Sequence, residues 1–286
     1  MEDVRRVCET SLYPCVRIRT PKAKGSGTVL FMEPAPDELG LFDAYVLTNH
    51  HVIDDLVTVD KKWNSVLKKD AQTETLGHPE VDRFQYNYMS RMVGATSVQA
   101  DIVAWDKDED MALLRVRSDI SNWIPAKLLP EEDINKLAAF MQVWNVGCGL
   151  GGPPAITAGY LSAFGVDIDD KDYMLVTAPS IFGSSGGATF LQDGGWYIGI
   201  PARISLIPMG WSADIITHLG FSITLARIYA FLREQYFSFI IDPETTSTKC
   251  AEARKRARDW DLRQRRELDE DDYPVPTVDQ WEAPKK

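Results

Sequence analysis

No apolar run in the sequence approaches the ~20 residues that a bilayer-spanning helix needs; the run around Phe237 to Ile241 is far shorter. A transmembrane helix is therefore not predicted. An excess of positive charge is missing too: 42 acidic side chains face 31 basic ones, a formal net charge of -11. That balance speaks against a nucleic-acid groove or attraction to an anionic membrane surface. The four cysteines, Cys8, Cys15, Cys148 and Cys250, lack both the paired short spacings of a zinc site and the density of a disulfide scaffold. They read as free thiols, with a Cys8 to Cys15 bridge as the alternative, and neither metal nor cofactor is expected. His78 and His218 have no second His or Cys at ligand spacing and read as surface or helix-end residues. The N-terminus, Met1-Glu2-Asp3-Val4-Arg5-Arg6-Val7, carries acidic residues and no apolar export segment, so the expected location is cytoplasmic.

What is present is ordinary globular composition. Hydrophobic residues make up 44% and charged residues 26% of 286, enough for one large domain or two modest ones, each with its own core. Residues 2 to 11 suit a short helix that Pro14 ends. Cys15 to Arg19, Thr28 to Phe31 and Ala44 to Thr48 alternate as strands, the first two separated by Gly25-Ser26-Gly27. The Lys-rich stretch from Asp60 to His78 reads as an inserted loop, after which alternation resumes at Phe84 to Tyr88 and Val98 to Trp105. Met111 to Val116 is a largely buried strand. A second set of short strands runs from Gln142 to Thr224, and from Thr224 to Phe239 the period changes: Leu225, Ile228, Tyr229, Leu232 and Tyr236 share one helical face. Many short strands with regular turn signals imply an all-β sandwich or barrel pair. We divide the chain into an N-terminal segment (1–12), a first β unit (13–125), a second β unit with its helix (126–240) and a charged tail (241–286). The tail, with a basic run from Arg254 to Arg266 and an acidic block after it, is expected to be helical or disordered, outside the main core and dispensable for folding.

Three segments carry chemistry. In Phe182-Gly183-Ser184-Ser185-Gly186-Gly187, glycines flank a serine, which permits a tight turn that exposes Oγ and aims backbone N–H groups at a developing oxyanion. Such runs also occur in plain hairpins, so this segment alone decides nothing. Upstream, Leu47-Thr48-Asn49-His50-His51-Val52 places two histidines just past an apolar strand, where a general base can be held rigidly yet reach substrate; the pattern does not choose between them. Asp110, in Asp106-Lys107-Asp108-Glu109-Asp110-Met111, directly abuts a buried strand, a position suited to a carboxylate that orients a histidine.

Together, Gly25-Ser26-Gly27-Thr28, Leu47-Thr48-Asn49-His50-His51-Val52, Asp110-Met111-Ala112-Leu113-Leu114 and Gly183-Ser184-Ser185-Gly186-Gly187 resemble the trypsin-like serine peptidases, closest to the HtrA/Deg-type protease domain. Four motifs stand in the family's order over roughly residues 13 to 240. The resemblance implies two six-stranded antiparallel β-barrels of the chymotrypsin type, with a C-terminal helix, and a site in the cleft between them. It places His51 on the catalytic position and His50 on a preceding Asn of the family pattern. Ser185 would then be the nucleophile, His51 the general base and Asp110 its orienting carboxylate, with an oxyanion hole along Gly183, Ser184 and Ser185 formed chiefly by the N–H groups of Gly183 and Ser185.

Counting back from Ser185, Pro179 falls where trypsins carry an acidic pocket floor, with Ser180 beside it. A non-basic P1 residue is therefore expected. Ile200, Pro201, Ala202 and Arg203 match the wall that pairs with substrate backbone, and Arg203 would face an acidic substrate residue or simply solvent. The expected partner is a polypeptide substrate; no nucleic acid or membrane is expected. The chain ends soon after its helix, so the family's PDZ domain is not expected. Two other readings stay open: a catalytically silent binding or scaffold member of the fold, and a self-processing protease of viral type with one main cleavage site.

Overall fold

The computed structural model of the protein describes residues 2–64, 69–209 and 212–271. Six strands close the first barrel in the order β1-β2-β3-β8-β7-β6: β1 (Cys15–Arg19), β2 (Lys24–Pro34), β3 (Phe42–Thr48), β6 (Glu80–Asn87), β7 (Arg91–Asp106) and β8 (Met111–Ser118). Alternation explains the closure. Val46, Leu114 and Val116 share one buried cluster with Val16, Ile18, Val29 and Ile102. Their chain neighbours Tyr45, Leu47 and Leu113 join a different cluster shared with the second half of the chain. Residues 111 to 114 are therefore apolar on both faces because both faces are covered.

The second barrel contains β10 (Gln142–Gly147), β11 (Ala155–Ile168), β12 (Lys171–Val176), β13 (Ala188–Leu191), β14 (Trp196–Met209) and β15 (Ser212–Thr224). The order β13-β10-β11-β12-β15-β14 is closed by pairing of β13 with β14, and the short β9 (Lys127–Leu128) adds in parallel to β14. A helix α1 (Glu2–Val7), continued by a wider turn over Cys8–Leu12, precedes β1. A single helical turn, α2 (His50–Ile53), follows β3. Helix α3 (Leu225–Glu234) buries Leu225, Ile228, Tyr229 and Leu232 as its periodicity predicts, but Tyr236, expected on the same face, lies beyond its end, exposed and at φ +59°. The all-β, double-barrel expectation is met.

Two segments differ from expectation. The stretch from Asp60 to His78, expected to be a loop, contains paired strands: β4 (Val57–Asn64) and β5 (Lys69–Leu76) are antiparallel in a sheet separate from both barrels. Asp60, Lys61 and Lys62 interrupt the apolar alternation begun by Val57 and Val59, which left too short a period to read. The tail is not wholly outside the core either. Helix α4 (Ser247–Asp271) buries Cys250 in the main cluster, sets the Arg254 guanidinium 4.0 Å over the Phe237 ring and joins Ser247 Oγ to Glu33 at 2.9 Å. The remaining apolar tail positions Tyr273, Val275 and Trp281 lie outside the described residues. All four cysteines are buried and free.

The packing of α4 gives a stability prediction. Truncation after Asp242 removes one buried side chain, a cation–π contact and a partly buried hydrogen bond, together about 2–3 kcal/mol. Scanning calorimetry of the truncated chain should show a melting temperature lower by roughly 5–10 °C. An unchanged melting temperature would mean that α4 does not contribute to the fold.

Candidate active site

The strand β3 delivers its C-terminal end to Asn49, which is extended (φ -78°, ψ 147°) before the turn of α2 begins. Consecutive residues on a helical turn point about 100° apart, so the two histidines have separate surroundings. His50 is 3% exposed; its ring lies 5.3 Å from that of Trp105, and its Nε2 is buried without a partner among the described residues. Burial, which disfavours the imidazolium, lowers its pKa. The His51 side chain is half exposed, and its Nδ1 lies 2.9 and 3.0 Å from the two carboxylate oxygens of Asp110.

Asp110 ends the turn between β7 and β8 in the left-handed region, φ +53°, which Asp tolerates better than most residues. Three contacts fix its orientation. The His51 backbone N–H donates to Oδ1 at 3.0 Å, the Asn49 amide donates to the Asp110 carbonyl at 2.9 Å, and the imidazole completes the set. With Nδ1–H donated to the carboxylate, the His51 Nε2 is left as an acceptor. The neighbouring Glu109 fastens this turn to the second barrel. Its carboxylate pairs with Lys171 and with Arg227 Nε at 2.8 Å, and its carbonyl accepts from Arg227 Nη2 at 3.1 Å. Arg227 in turn covers the Tyr173 ring at 4.9 Å.

The loop from Ser180 to Gly187 connects β12 to β13 and is built almost wholly from backbone hydrogen bonds. Ser184 is committed inside it. Its N–H donates to the Ile181 carbonyl at 3.0 Å and its carbonyl accepts from Gly187 at 3.0 Å, while its Oγ accepts from the Ile181 N–H at 3.4 Å. The Ser184 N–H is thus spent within the turn, a correction to its inclusion in the anion-binding set. Among the described residues, the N–H groups of Gly183 and Ser185 have no partner. The Leu150 N–H holds the Phe182 carbonyl at 2.6 Å. Because that peptide is trans and planar, the Gly183 N–H points the opposite way. Gly183 adopts φ +93° there, and a Cβ would meet the Cys148 carbonyl at 2.7 Å.

Ser26, on β2 of the first barrel and fully buried, ties this loop down on both sides of Ser184. Its N–H donates to the Ser185 carbonyl at 2.9 Å. Its Oγ donates to the Gly183 carbonyl at 2.6 Å and accepts from the Cys148 N–H at 2.7 Å. Ser185 keeps an Oγ that no hydrogen bond occupies among the described residues.

His51 and Ser185 line one cleft of about 210 Å³, together with Ser180, Pro201, Ala202 and Arg203. Two expected wall residues are not there. Ile200 is fully buried in the core, just before the consecutive residues Pro201 to Ile204 that line the cleft. Pro179 lies outside the cleft lining and uses its carbonyl to accept from Thr157 Oγ1 at 2.7 Å. Ile181, Phe182 and Ile204 line the cleft instead; their apolar character beside the Gly-Ser-Ser run and along β14 was the available signal. Arg203 is paired with Asp169 at 2.7 Å and lies 5.4 Å over the Tyr173 ring. A larger cavity of about 830 Å³, beside Trp144 and Trp196, shares no lining residue with the cleft.

The environment of His50 makes stability depend on pH. A histidine whose pKa is lowered on folding binds fewer protons in the native than in the unfolded state. Its stabilising contribution is therefore full above the ordinary value of 6.5 and is lost as pH falls below it. Melting temperatures measured from about pH 8 to about pH 5 should fall less steeply in His50→Gln than in the wild type. Parallel curves would show that His50 is not buried neutral.

The trypsin-like peptidase domain family matches residues 25–200, more than half of the chain. No curated protein matches. Among solved structures, the HtrA-type protease AlgW with tripeptide superposes with a TM-score of 0.57 at 18% identity, over 83% of this chain and 64% of that one. The serine endoprotease from Yersinia pestis gives 0.53 at 19% identity, over 82% and 66%. The chain thus spans under two thirds of either structure, and at these identities the likeness is one of fold. The family match and the double-barrel architecture lead to the same conclusion: the chain belongs to the trypsin-like peptidase family.

Proposed function

We propose that the protein is a serine endopeptidase in which Ser185 attacks the scissile carbonyl, His51 Nε2 takes the hydroxyl proton, and Asp110 holds Nδ1–H and stabilises the imidazolium. The observation that carries this reading is the double contact of the Asp110 carboxylate with His51 Nδ1 in a cleft that also contains Ser185. The partnerless N–H groups of Gly183 and Ser185 receive the oxyanion of the tetrahedral intermediate, each worth about 3 kcal/mol of barrier. His51 then returns its proton to the leaving amine. Water repeats the sequence on the acyl-enzyme at Ser185.

The substrate class follows from the cleft. Its walls at Ile181, Phe182, Pro201, Ala202 and Ile204 are apolar, and Arg203, which alone among the described wall residues carries a permanent charge, already has Asp169 as its partner. With no carboxylate among the described wall residues, a Lys or Arg side chain would be desolvated unpaired. A polypeptide with a neutral or apolar P1 residue fits best, and the tripeptide named with the AlgW structure supports a peptide ligand for this fold.

Ser185→Ala and His51→Ala should each lower kcat by roughly a million-fold on a peptide substrate, with melting temperatures close to wild type. Ser184→Ala should remain active, since its hydroxyl serves only the turn. Retained activity in His51→Ala together with a dead His50→Ala would overturn the assignment.

A further inference from the structure

Three arginines converge away from the cleft. Arg115 on β8, with Arg254 and Arg258 on α4, lines a pocket of about 300 Å³ whose other walls include Tyr45, Phe237 and Asp101. Arg254 and Arg258 stand one helical turn apart on the same face of α4. Arg254 is anchored by the Phe237 ring at 4.0 Å and by donation of Nη1 to the Tyr236 carbonyl at 2.6 Å. Arg115 donates Nη2 to Asp101 Oδ2 at 2.7 Å, while its Nε–H is buried with no acceptor among the described residues. Among the described residues, three arginines thus share the pocket with one carboxylate, Asp101, which His78 Nδ1 also approaches at 3.3 Å, in a chain whose formal net charge is -11.

Such a cluster is unfavourable as it stands. Burial, and behind it repulsion from Arg258 and Arg115, lowers the pKa of Arg254. Helix α4 brings Arg254 partly buried against Phe237, while Arg258, exposed like Arg256, differs from it in lining the pocket. An anion in the pocket would turn this mutual repulsion into attraction. The geometry narrows the class. A carboxylate offers two oxygens and one charge, which suits one guanidinium fork, whereas a phosphoryl group offers three oxygens and close to two charges, enough to engage several forks at once.

We propose that Arg115, Arg254 and Arg258 form a binding site for a phosphoryl group, either as free phosphate or on a phosphomonoester, bridging α4 to the first barrel. Occupancy stabilises the folded chain by linkage, because the site exists only when α4 is docked. The pocket shares no lining residue with the cleft, so the proposal stands independently of the peptidase reading.

The test uses the full chain, with inorganic phosphate and O-phosphoserine titrated separately by calorimetry and by thermal melting, ionic strength being held constant with sodium chloride. We expect saturable binding and a rise in melting temperature with at least one of the two, and their affinity ratio identifies the source. Arg258→Gln and Arg115→Gln should each weaken binding by about tenfold or more, the loss of one charge-assisted hydrogen bond. Arg256→Gln, which removes the same charge from the exposed face of α4, should bind as the wild type does. No saturable binding of either probe, or equal binding by the wild type and all three variants, would overturn the proposal.

Discussion

The Ser26 hydroxyl belongs to the first barrel and does its bonding in the second. Through one buried side chain and one N–H, Ser26 contacts the Gly183 carbonyl, the Ser185 carbonyl and the Cys148 N–H. The segment that presents Ser185 is therefore positioned from the barrel that carries His51 and Asp110, not by its own strands alone. Around this contact there is little slack. A Cβ on Gly186 would meet the Ser26 carbonyl at 2.2 Å and Thr48 Oγ1 at 2.3 Å, so the loop, β2 and the end of β3 are in close backbone contact. Thr48 Oγ1 itself donates to that Ser26 carbonyl at 2.7 Å, one residue before the chain turns toward the histidines.

A second fastening works from the opposite side. Glu109, one residue before Asp110, is held by Lys171 and Arg227 of the second barrel and its helix. The turn it belongs to keeps Asp110 in a left-handed conformation, which costs energy and persists only where the surroundings enforce it. Ser26 reaches from the first barrel to the second, and the Arg227 side chain reaches back. Two barrels with separate interiors thereby act as one rigid support for groups that must sit within hydrogen-bond range of each other.

The architecture was legible because it depends on local rules, and the residues proposed for the site were picked out by the same rules. Strand alternation is visible in Val16 and Ile18 or in Met111 to Val116, and a histidine just past β3 or an aspartate just before β8 is recognisable from its chain neighbours. Choosing between His50 and His51 needed the family pattern, because only the tertiary structure puts Trp105 against one and Asp110 against the other. The pairing of β4 with β5 was not legible, because after Val57 and Val59 the sequence turns to Asp60, Lys61 and Lys62, which break the apolar alternation. Counting back from Ser185 identified Pro179 by its place in the chain only, and that count carries no information about its carbonyl accepting from Thr157 or its place outside the cleft lining. The meeting of Arg115 with Arg254 and Arg258 joins positions far apart in the chain and leaves no local trace. The same holds for the triple contact of Ser26, although its motif was recognised.

The central claim is that this arrangement activates the Ser185 hydroxyl and no other. Reaction of the full-length protein with a fluorophosphonate, followed by mass spectrometry of its proteolytic fragments, reads this directly, because the probe phosphonylates only an activated serine. The account predicts a single adduct on Ser185 that disappears in His51→Ala. An adduct on Ser184, labelling that survives the loss of His51, or no adduct at all would contradict it.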